Sequence, residues 1–106
     1  ILKKTLELRI FSDTEGKMNL SLRDTGGDLL IVSQFTLYGD CRKGRRPSYS
    51  QAEPPATARA LIEKLVEKVR EIHPGRVATS VFQAEMEVEI HNHGPVTILL
   101  DSRKIF

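Results

Sequence analysis

Apolar residues at three- and four-residue intervals predict one long helix over residues 56–73. Its apolar stripe consists of Leu61, Leu65, Val69 and Ile72. The pair Pro54-Pro55 is typical of a helix start, and the pair Pro74-Gly75 is typical of a helix end. Leu2 and Leu6 are also four residues apart, which predicts the last turns of a second helix at the beginning of the sequence.

Alternating apolar and polar residues, together with runs of β-branched and aromatic residues, predict five strands. They cover residues 18–22, 29–38, 77–82, 86–90 and 96–100. Turn-forming residues predict a turn at 12–16, a hairpin loop at 24–28 and a long irregular loop at 39–55. The chain is therefore predicted to be a single α+β domain over residues 1–106, with an antiparallel, barrel-like β-sheet and the long helix on its flank.

Composition narrows the class of protein without identifying it. The 106 residues suffice for one domain, and 40% apolar with 28% charged residues is typical of a soluble globular protein. Cys41 is the only cysteine, so no internal disulfide can form, which fits a reducing compartment. No apolar run approaches the roughly 20 residues of a membrane span. We expect a cytoplasmic protein with no membrane contact.

The distribution of charge is more informative than the formal net charge of +2. Residues 42–46 read RKGRR and place four positive charges in five positions. Such a cluster is commonly just a solvated loop. Here it follows directly after a polar strand end, where Arg and Lys side chains could hold the phosphates of a nucleic acid without reading its bases.

The polar strand end is Ser33-Gln34-Phe35-Thr36. One interpretation is that its polar side chains take the wet face of the strand while apolar neighbours fill the core. The other is that hydroxyls, an amide and backbone N–H groups are presented to a carbonyl substrate. Pattern alone favours the first interpretation, although polar groups in a central strand are costly unless they find partners.

Other candidate chemistry is weaker. His91 and His93 lie two residues apart, but no third ligand is close in sequence, so a metal site is not expected. Cys41 lies beside Arg42 and Lys43, which could lower the pKa of its thiol, yet no histidine is evidently positioned to act with it. A threonine nucleophile would need an activating base. We expect neither a metal nor another cofactor.

Four segments in this order and spacing resemble the D-aminoacyl-tRNA deacylase family, which removes D-amino acids wrongly esterified to tRNA. They are SQFTLYGD (33–40), RKGRRPSYS (42–50), FQAEM (82–86) and NHGPVT (92–97). The similarity runs from about Leu8 to Asp101. The pairing of Ser-Gln-x-Thr with Asn-x-Gly-Pro-x-Thr makes the resemblance specific, since either motif alone would be weak.

The resemblance implies a homodimer whose active site lies at the subunit interface, with Ser33, Gln34, Phe35 and Thr36 as one wall. Gly94 and Pro95 would come from the other protomer, joined by a cis peptide bond, and their main chain would reject L-amino acids. Asn92 and Thr97 would hold that turn. Phe82 and Met86 would line an adenosine pocket, and Arg42, Lys43, Arg45 and Arg46 would bind tRNA. Water would attack the ester with help from a ribose hydroxyl of the RNA.

Two features differ from the family pattern. Family members usually start with a further strand and hairpin, so an N-terminal strand is expected to be missing from this sequence, which begins at Ile1. Gln83 stands where a glycine is usual. Two alternatives to D-aminoacyl-tRNA hydrolysis stay open. The chain could deacylate L-alanine mischarged on tRNA, although Ser33 stands where that family has Pro, or it could be a nucleic-acid-binding protein without hydrolytic activity.

Overall fold

The structure, a computed structural model, describes residues 1–105. In chain order its elements are α1 (Leu2–Glu7), β1 (Arg9–Ser12), β2 (Met18–Ser21), α2 (Leu22–Thr25), β3 (Leu29–Ile31), a 3-10 turn (Phe35–Tyr38), α3 (Pro55–Ile72) and β4 (Val77–Thr79). Strands β1 and β2 form an antiparallel hairpin, and β3 pairs in parallel with β4. The α+β class and the long helix are confirmed.

The first hairpin forms because its turn is well made. Asp13 Oδ1 accepts hydrogen bonds from the backbone N–H groups of Glu15 and Lys17, and its Oδ2 accepts from the Asn19 amide. These bonds, the one from Asn19 foremost, lower the pKa of Asp13. Gly16 takes the left-handed conformation, with φ 76°, that the turn requires. The predicted turn at 12–16 is confirmed, whereas β1 is a strand that the sequence pattern did not predict.

Residues 22–25 form the short helix α2 instead of belonging to the predicted strand and hairpin loop. Ser21 Oγ accepts from the Asp24 N–H at 3.1 Å, and the Asp24 carboxylate accepts from the Ser21 N–H at 2.8 Å. This reciprocal capping box satisfies two donors at the helix start. Gly26 then ends the helix in the left-handed conformation, with φ 64°. The local capping chemistry overrides the alternation that had predicted a strand through Leu22.

The second sheet has a different topology from the one predicted. Leu29 pairs with Val77 and Ile31 with Thr79 in parallel register, and α3 lies in the crossover between the two strands. The predicted strand over 29–38 ends at Ile31, since residues 35–38 close into a 3-10 turn. A parallel pair needs a long crossover, which the irregular loop and α3 together supply.

Helix α3 confirms the predicted long helix to within one residue at each end. Val69 is almost wholly buried and Val66 is buried beside it, while Leu61 at the other end of the predicted stripe is 63% exposed. The helix packs on β4, and in the other half of the chain α1 packs on α2. Leu6 and Leu22 are buried in that second cluster.

The end of α3 is tied to the loop before β3. His73 is buried, and its Nε2 donates to the Gly27 carbonyl oxygen at 2.7 Å. A Cβ on Gly75 would lie 2.1 Å from the Gly27 oxygen and 2.9 Å from the Gly26 oxygen. Only glycine can occupy position 75 at this close approach of two backbones.

The predicted barrel-like sheet is wrong for this structure. Among residues 1–105, neither the 86–90 segment nor the 96–100 segment forms a strand, and residues 85–100 make no hydrogen bond with the rest of the chain. Their alternating apolar side chains are largely exposed, with Val88 at 54% and Ile90 at 72%. Strand pairing needs a neighbouring edge with free N–H and C=O groups, and no strand of the described part of the chain is paired with these segments.

Candidate functional site

The Ser33–Thr36 segment leaves β3 and turns sharply at the protein surface. Gln34 is extended, with φ −150° and ψ 99°, and the next residues close into the 3-10 turn. The first amides of such a turn, those of Phe35 and Thr36, have no carbonyl acceptor within it. The predicted site residues therefore lie together, but on an exposed turn and not on the wall of a long strand.

A hydrogen bond inside this turn fixes two of the predicted site side chains. The Gln34 Nε2 group donates to the Thr36 hydroxyl oxygen. An amide is not a base, so Gln34 can orient the Thr36 hydroxyl but cannot take its proton. Phe35 is 60% exposed and its ring packs edge-on against Tyr49, with ring centroids 5.1 Å apart. Tyr49 thus supports the turn, a role that its position in a predicted irregular loop did not reveal.

The basic run lies on a loop with a closed base, which we call the basic loop (residues 40–48). Asp40 and Ser48 exchange two backbone hydrogen bonds, of 2.8 and 3.0 Å. The Asp40 carboxylate also accepts from Arg42, at 2.9 Å from Nε and 2.6 Å from Nη2, and from the Arg42 N–H at 3.0 Å. These bonds from Arg42 lower the pKa of Asp40 to about 2.

The other three cations of the basic loop differ from Arg42 in their surroundings. Within the described part of the chain, no hydrogen bond or ion pair involves Lys43, Arg45 or Arg46, and all three are exposed. Gly44 at the tip has φ 69° and open space around it. The four cations predicted to bind tRNA therefore fall into two kinds: Arg42, bound to a carboxylate, and three that face solvent.

The second predicted motif does not meet the first within one chain. Residues 91–97 are all exposed, and a Cβ on Gly94, whose φ is 112°, would find nothing within 4 Å. Residues 1–105 contain no cis peptide bond, so the expected cis bond between Gly94 and Pro95 is wrong here. X–Pro bonds prefer trans by about 0.5–1 kcal/mol, and the space around Gly94 is open.

The predicted adenosine-pocket residues lie at and beyond a groove between α3 and residues 79–82. The groove has a volume of about 320 Å³ and is lined by Phe82 but not by Met86, which is 41% exposed. The Arg59 guanidinium lies 4.6 Å from the centre of the Phe82 ring, a cation–π contact that covers one ring face. Gln83, which follows, has the unusual φ of 60°. Arg59 could not be found from sequence, because helix α3 carries charges of both signs along its length.

The remaining sequence candidates stay apart. In the described region no three His, Cys, Asp or Glu side chains are placed to share a metal ion, and His91, His93 and Cys41 are each exposed. None of the helices in residues 1–105 has both the length and the apolar character needed to span a bilayer.

Comparison with known proteins gives a consistent result. A family profile described as D-Tyr-tRNA(Tyr) deacylase matches residues 1–101. A protein of Thermosipho melanesiensis named D-aminoacyl-tRNA deacylase is 58% identical over 106 residues, which is all of this chain and 71% of the relative. One of the same name from Solidesulfovibrio magneticus is 62% identical over 101 residues, which is 95% of this chain and 64% of the relative.

The solved structure of a protein named c-Myc DNA Unwinding Element Binding Protein has the same fold, with a TM-score of 0.86 and 38% identity. The match covers 95% of this chain and 68% of that one. The chain thus spans about two thirds of the length of the proteins it matches. Because the family profile and the relatives match it almost from end to end, this chain belongs to the D-Tyr-tRNA(Tyr) deacylase family.

Proposed function

We propose that this chain hydrolyses the ester bond of D-aminoacyl-tRNA, and of glycyl-tRNA, releasing free amino acid and tRNA. The observation that carries the proposal is 58% identity over the whole chain to a protein named D-aminoacyl-tRNA deacylase. The reaction is a chirality-based proofreading step in translation, and we place it in the cytoplasm.

The turn at Ser33–Thr36 would hold the reacting carbonyl. Water attacks the ester carbon, the carbon–oxygen bond to the ribose breaks, and the ribose oxygen leaves with a proton. The N–H groups of Phe35 and Thr36, which have no acceptor inside the 3-10 turn, are suited to stabilise the oxyanion. Gln34 would orient the Thr36 hydroxyl towards the substrate. A ribose hydroxyl of the RNA would assist the water, since no base lies within hydrogen-bonding distance of Thr36 in the described chain.

Chirality would be read by the main chain at Gly94 and Pro95 of a partner subunit, held by Asn92 and Thr97. A D-amino acid directs its side chain away from that backbone, whereas an L-amino acid would drive its Cβ into it. The contact is steric and involves no particular side chain of the substrate. Glycine has no Cβ, so the same site would accept glycyl-tRNA.

The homodimer is supported by the state of residues 85–100 within one chain. They present alternating apolar side chains to solvent and make no hydrogen bond within the described residues 1–105. Exposed apolar side chains concentrated in one segment are typical of an interaction site. A second copy offers both an apolar cover for this segment and a Ser33–Thr36 turn for the Gly94 loop to meet.

For the substrate's terminal adenosine we propose the region of Phe82 and Met86. Phe82 lines the groove beside α3, and its ring already binds one cation, that of Arg59. An aromatic ring with such a partner can stack a base on its remaining face.

One deacylation assay tests the function against its alternatives. The protein is incubated separately with D-Tyr-tRNA, L-Tyr-tRNA, Gly-tRNA and L-Ala-tRNA, and ester loss is followed over the spontaneous rate. Accelerated loss of only the D-tyrosyl and glycyl esters supports the proposal. Loss of L-Ala-tRNA alone would assign the chain to L-alanine deacylation, and no acceleration with any ester would contradict hydrolysis.

Shared sites can be tested by mixing two inactive variants. Ser33→Arg blocks the turn, and Gly94→Val blocks the loop, where φ 112° and the added side chain both disfavour valine. If each site takes its turn from one subunit and its loop from the other, refolding an equal mixture restores about one quarter of wild-type activity, because half the dimers are mixed and each has one intact site. No restored activity would mean that both motifs act within one chain.

Nucleic-acid binding without hydrolysis is the second candidate function. It is favoured by the exposed cations of the basic loop and by the structural match, whose name says that it binds a DNA element. Tight binding of duplex DNA together with inactivity on all four esters would establish it.

A further inference from the structure

The basic loop contains one cation that differs from the others in its partners. Arg42 makes three hydrogen bonds to the Asp40 carboxylate, two from its guanidinium and one from its backbone N–H. Asp40 is also the residue whose backbone closes the loop on Ser48. Asp40 therefore closes the base of the loop with its backbone and holds the first cation of the loop with its side chain.

The charges on this pair cancel locally. The Asp40 side chain is 33% exposed and that of Arg42 is 87% exposed, with 2.6 Å between Arg42 Nη2 and Asp40 Oδ2. A forked guanidinium–carboxylate pair is directional as well as attractive, so it fixes the path of the chain between the two residues. The pKa of Asp40, lowered to about 2 by these bonds, keeps the carboxylate charged at any physiological pH.

The three remaining cations stand on the framework that this pair creates. Lys43, Arg45 and Arg46 follow within four residues of Arg42, on either side of Gly44 at φ 69°. They are exposed and have no carboxylate partner among the described residues. Ordering such side chains on a flexible loop would cost conformational entropy when a ligand binds, and a closed loop base reduces that cost beforehand.

We propose that Asp40 and Arg42 form a clasp that preorganises the basic loop, and that RNA phosphates are bound by Lys43, Arg45 and Arg46 and not by Arg42. This inference rests on the proposed function for its ligand, tRNA, and revises the expectation that all four cations bind it. Asp40 and Arg42 are thus positioning residues. An acidic side chain would strengthen the binding of a polyanion, contrary to its charge.

The decisive variant is Asp40→Asn, because charge and clasp predict opposite effects. The probe is uncharged tRNA with an internal fluorescent label, and the affinity is measured by anisotropy from 50 to 300 mM salt, as rough working limits. The variant loses one negative charge, so its net charge rises by one and charge alone predicts tighter binding. The clasp predicts that the variant binds tRNA at least about threefold more weakly at each salt concentration, because the loop is no longer preorganised before binding. Tighter binding by Asp40→Asn overturns the proposal.

A matched control separates net charge from the clasp. Glu53 is exposed, lies outside the basic loop and takes part in no hydrogen bond or ion pair in the described structure. Glu53→Gln makes the same change in net charge, so it is expected to bind tRNA equally well or slightly more tightly. Equal weakening in Glu53→Gln and Asp40→Asn would overturn the clasp.

The salt dependence distinguishes phosphate contacts from positioning. Each lost phosphate contact reduces the slope of log affinity against log salt by about 0.9 for duplex regions. Arg45→Gln is expected to reduce the slope by about that amount. Arg42→Lys keeps the charge but loses the fork, so it is expected to weaken binding at an unchanged slope. A reduced slope in Arg42→Gln equal to that in Arg45→Gln would show that Arg42 contacts phosphate, and would overturn the assignment.

Two readouts keep this inference separate from the proposed function. Far-ultraviolet circular dichroism of each variant, whose helical signal comes mainly from α3, establishes that the variant is folded, since the basic loop lies outside the helix. Wild-type hydrolysis of D-Tyr-tRNA is measured in parallel with binding. Hydrolysis together with tightened binding by Asp40→Asn refutes the clasp alone. If the wild type hydrolyses no ester but Asp40→Asn binds tRNA more weakly than Glu53→Gln, only the proposed reaction is refuted. If the wild type does not bind tRNA, the proposal that the basic loop binds RNA phosphates is refuted. The same anisotropy measurement is repeated with labelled duplex DNA. Tighter binding of DNA than of tRNA would overturn the assignment of RNA as the ligand of the basic loop.

Discussion

At the scale of single residues, side-chain hydrogen bonds decide what the candidate site can do. Thr36 receives a hydrogen bond from the Gln34 amide, which cannot accept a proton from it in return. Thr36 is therefore suited to binding and orienting a substrate and poorly suited to nucleophilic attack, which requires an activating base.

We expect Thr36→Ala to lower the rate of D-Tyr-tRNA hydrolysis modestly, by about fivefold, which corresponds to one lost neutral hydrogen bond of roughly 1 kcal/mol. Single-turnover kinetics on D-Tyr-tRNA measures it, and Thr36→Ser, which keeps the hydroxyl, is the control. A loss of about 10⁴ would identify Thr36 as the nucleophile and exclude the RNA-assisted mechanism.

The titration of Asp40 is a second prediction at this scale. Its pKa falls from 3.8 to about 2 because Arg42 donates to the carboxylate. A lowered folded-state pKa means that the pair contributes stability above about pH 3.8, and that this contribution is lost as the pH falls through about 2. Carboxyl NMR titration of the folded protein should show the low value, and Arg42→Gln should return it towards 3.8. An unchanged pKa in that variant would show that the pair does not form in solution.

At the scale of elements, sequence patterns succeeded where local forces suffice. Helix α3 was predicted to within a residue because its apolar period, its leading prolines and its terminal Pro-Gly all act within the helix. The turn at 12–16 was predicted for the same reason. The parallel pairing of β3 with β4 was not predicted, because it joins residues 48 positions apart and no local sequence pattern indicates it.

The candidate site could be predicted only in part. Residues 33–36 are consecutive in the sequence, so their closeness needed no long-range information, and their role in a site stays a prediction. It could not show that Asp40 binds Arg42, or that Arg59 covers Phe82, since both depend on side-chain directions that the chain path sets. The cis bond at Pro95 was expected from the resemblance alone, and the structure has no cis peptide bond in residues 1–105.

Helix α3 is expected to depend on Val69 far more than on Leu61, although both belong to the predicted stripe. Val69 is 1% exposed and Leu61 is 63% exposed. Val69→Ala should lower the free energy of unfolding by about 2 kcal/mol, since it removes buried methyl groups and leaves a cavity. Leu61→Ala should change it by less than about 0.5 kcal/mol. Urea unfolding followed by circular dichroism measures both. Equal losses would mean that Leu61 is covered in solution.

The junction between α3 and the loop before β3 gives a further prediction. Gly75→Ala would place a Cβ 2.1 Å from the Gly27 oxygen, so the two backbones must separate. We expect a loss of about 1–3 kcal/mol, the usual scale of overpacking, in thermal or urea unfolding. Gly44→Ala serves as the control, because its surroundings are open and only its φ of 69° opposes the change. A greater loss at Gly44 would contradict the close packing at Gly75.

At the scale of the whole molecule, one chain leaves too much surface uncovered. Its accessible surface is 9214 Å², whereas a compact monomer of 11.9 kDa exposes roughly 6,000 Å². Its radius of gyration is 15.9 Å, compared with roughly 13 Å for a compact domain of this length. Both values exceed those of a compact monomer, and exposed apolar residues such as Val88 and Ile90 contribute to the excess, which is in keeping with the proposed second copy.

We expect the protein in solution to have twice the mass of one 11.9 kDa chain, as measured by light scattering during size exclusion. Val88→Asp should produce monomers, because a carboxylate cannot be buried in an apolar interface without a partner. Glu87→Gln, at the alternate position of the same segment, should stay dimeric. A monomeric wild type that retains D-ester hydrolysis would contradict the shared site.

The closed base of the basic loop has a practical consequence. Because Asp40 and Ser48 are already joined by two backbone hydrogen bonds, the residues between them can change in length or composition at little expense to the rest of the fold. Changes at residues 43–47, with the Asp40–Arg42 pair kept, would therefore alter the charge that the loop presents without altering the packing of the rest of the chain. For protein engineering, a different cationic sequence could be inserted between Asp40 and Ser48, whose backbone hydrogen bonds would still close the loop.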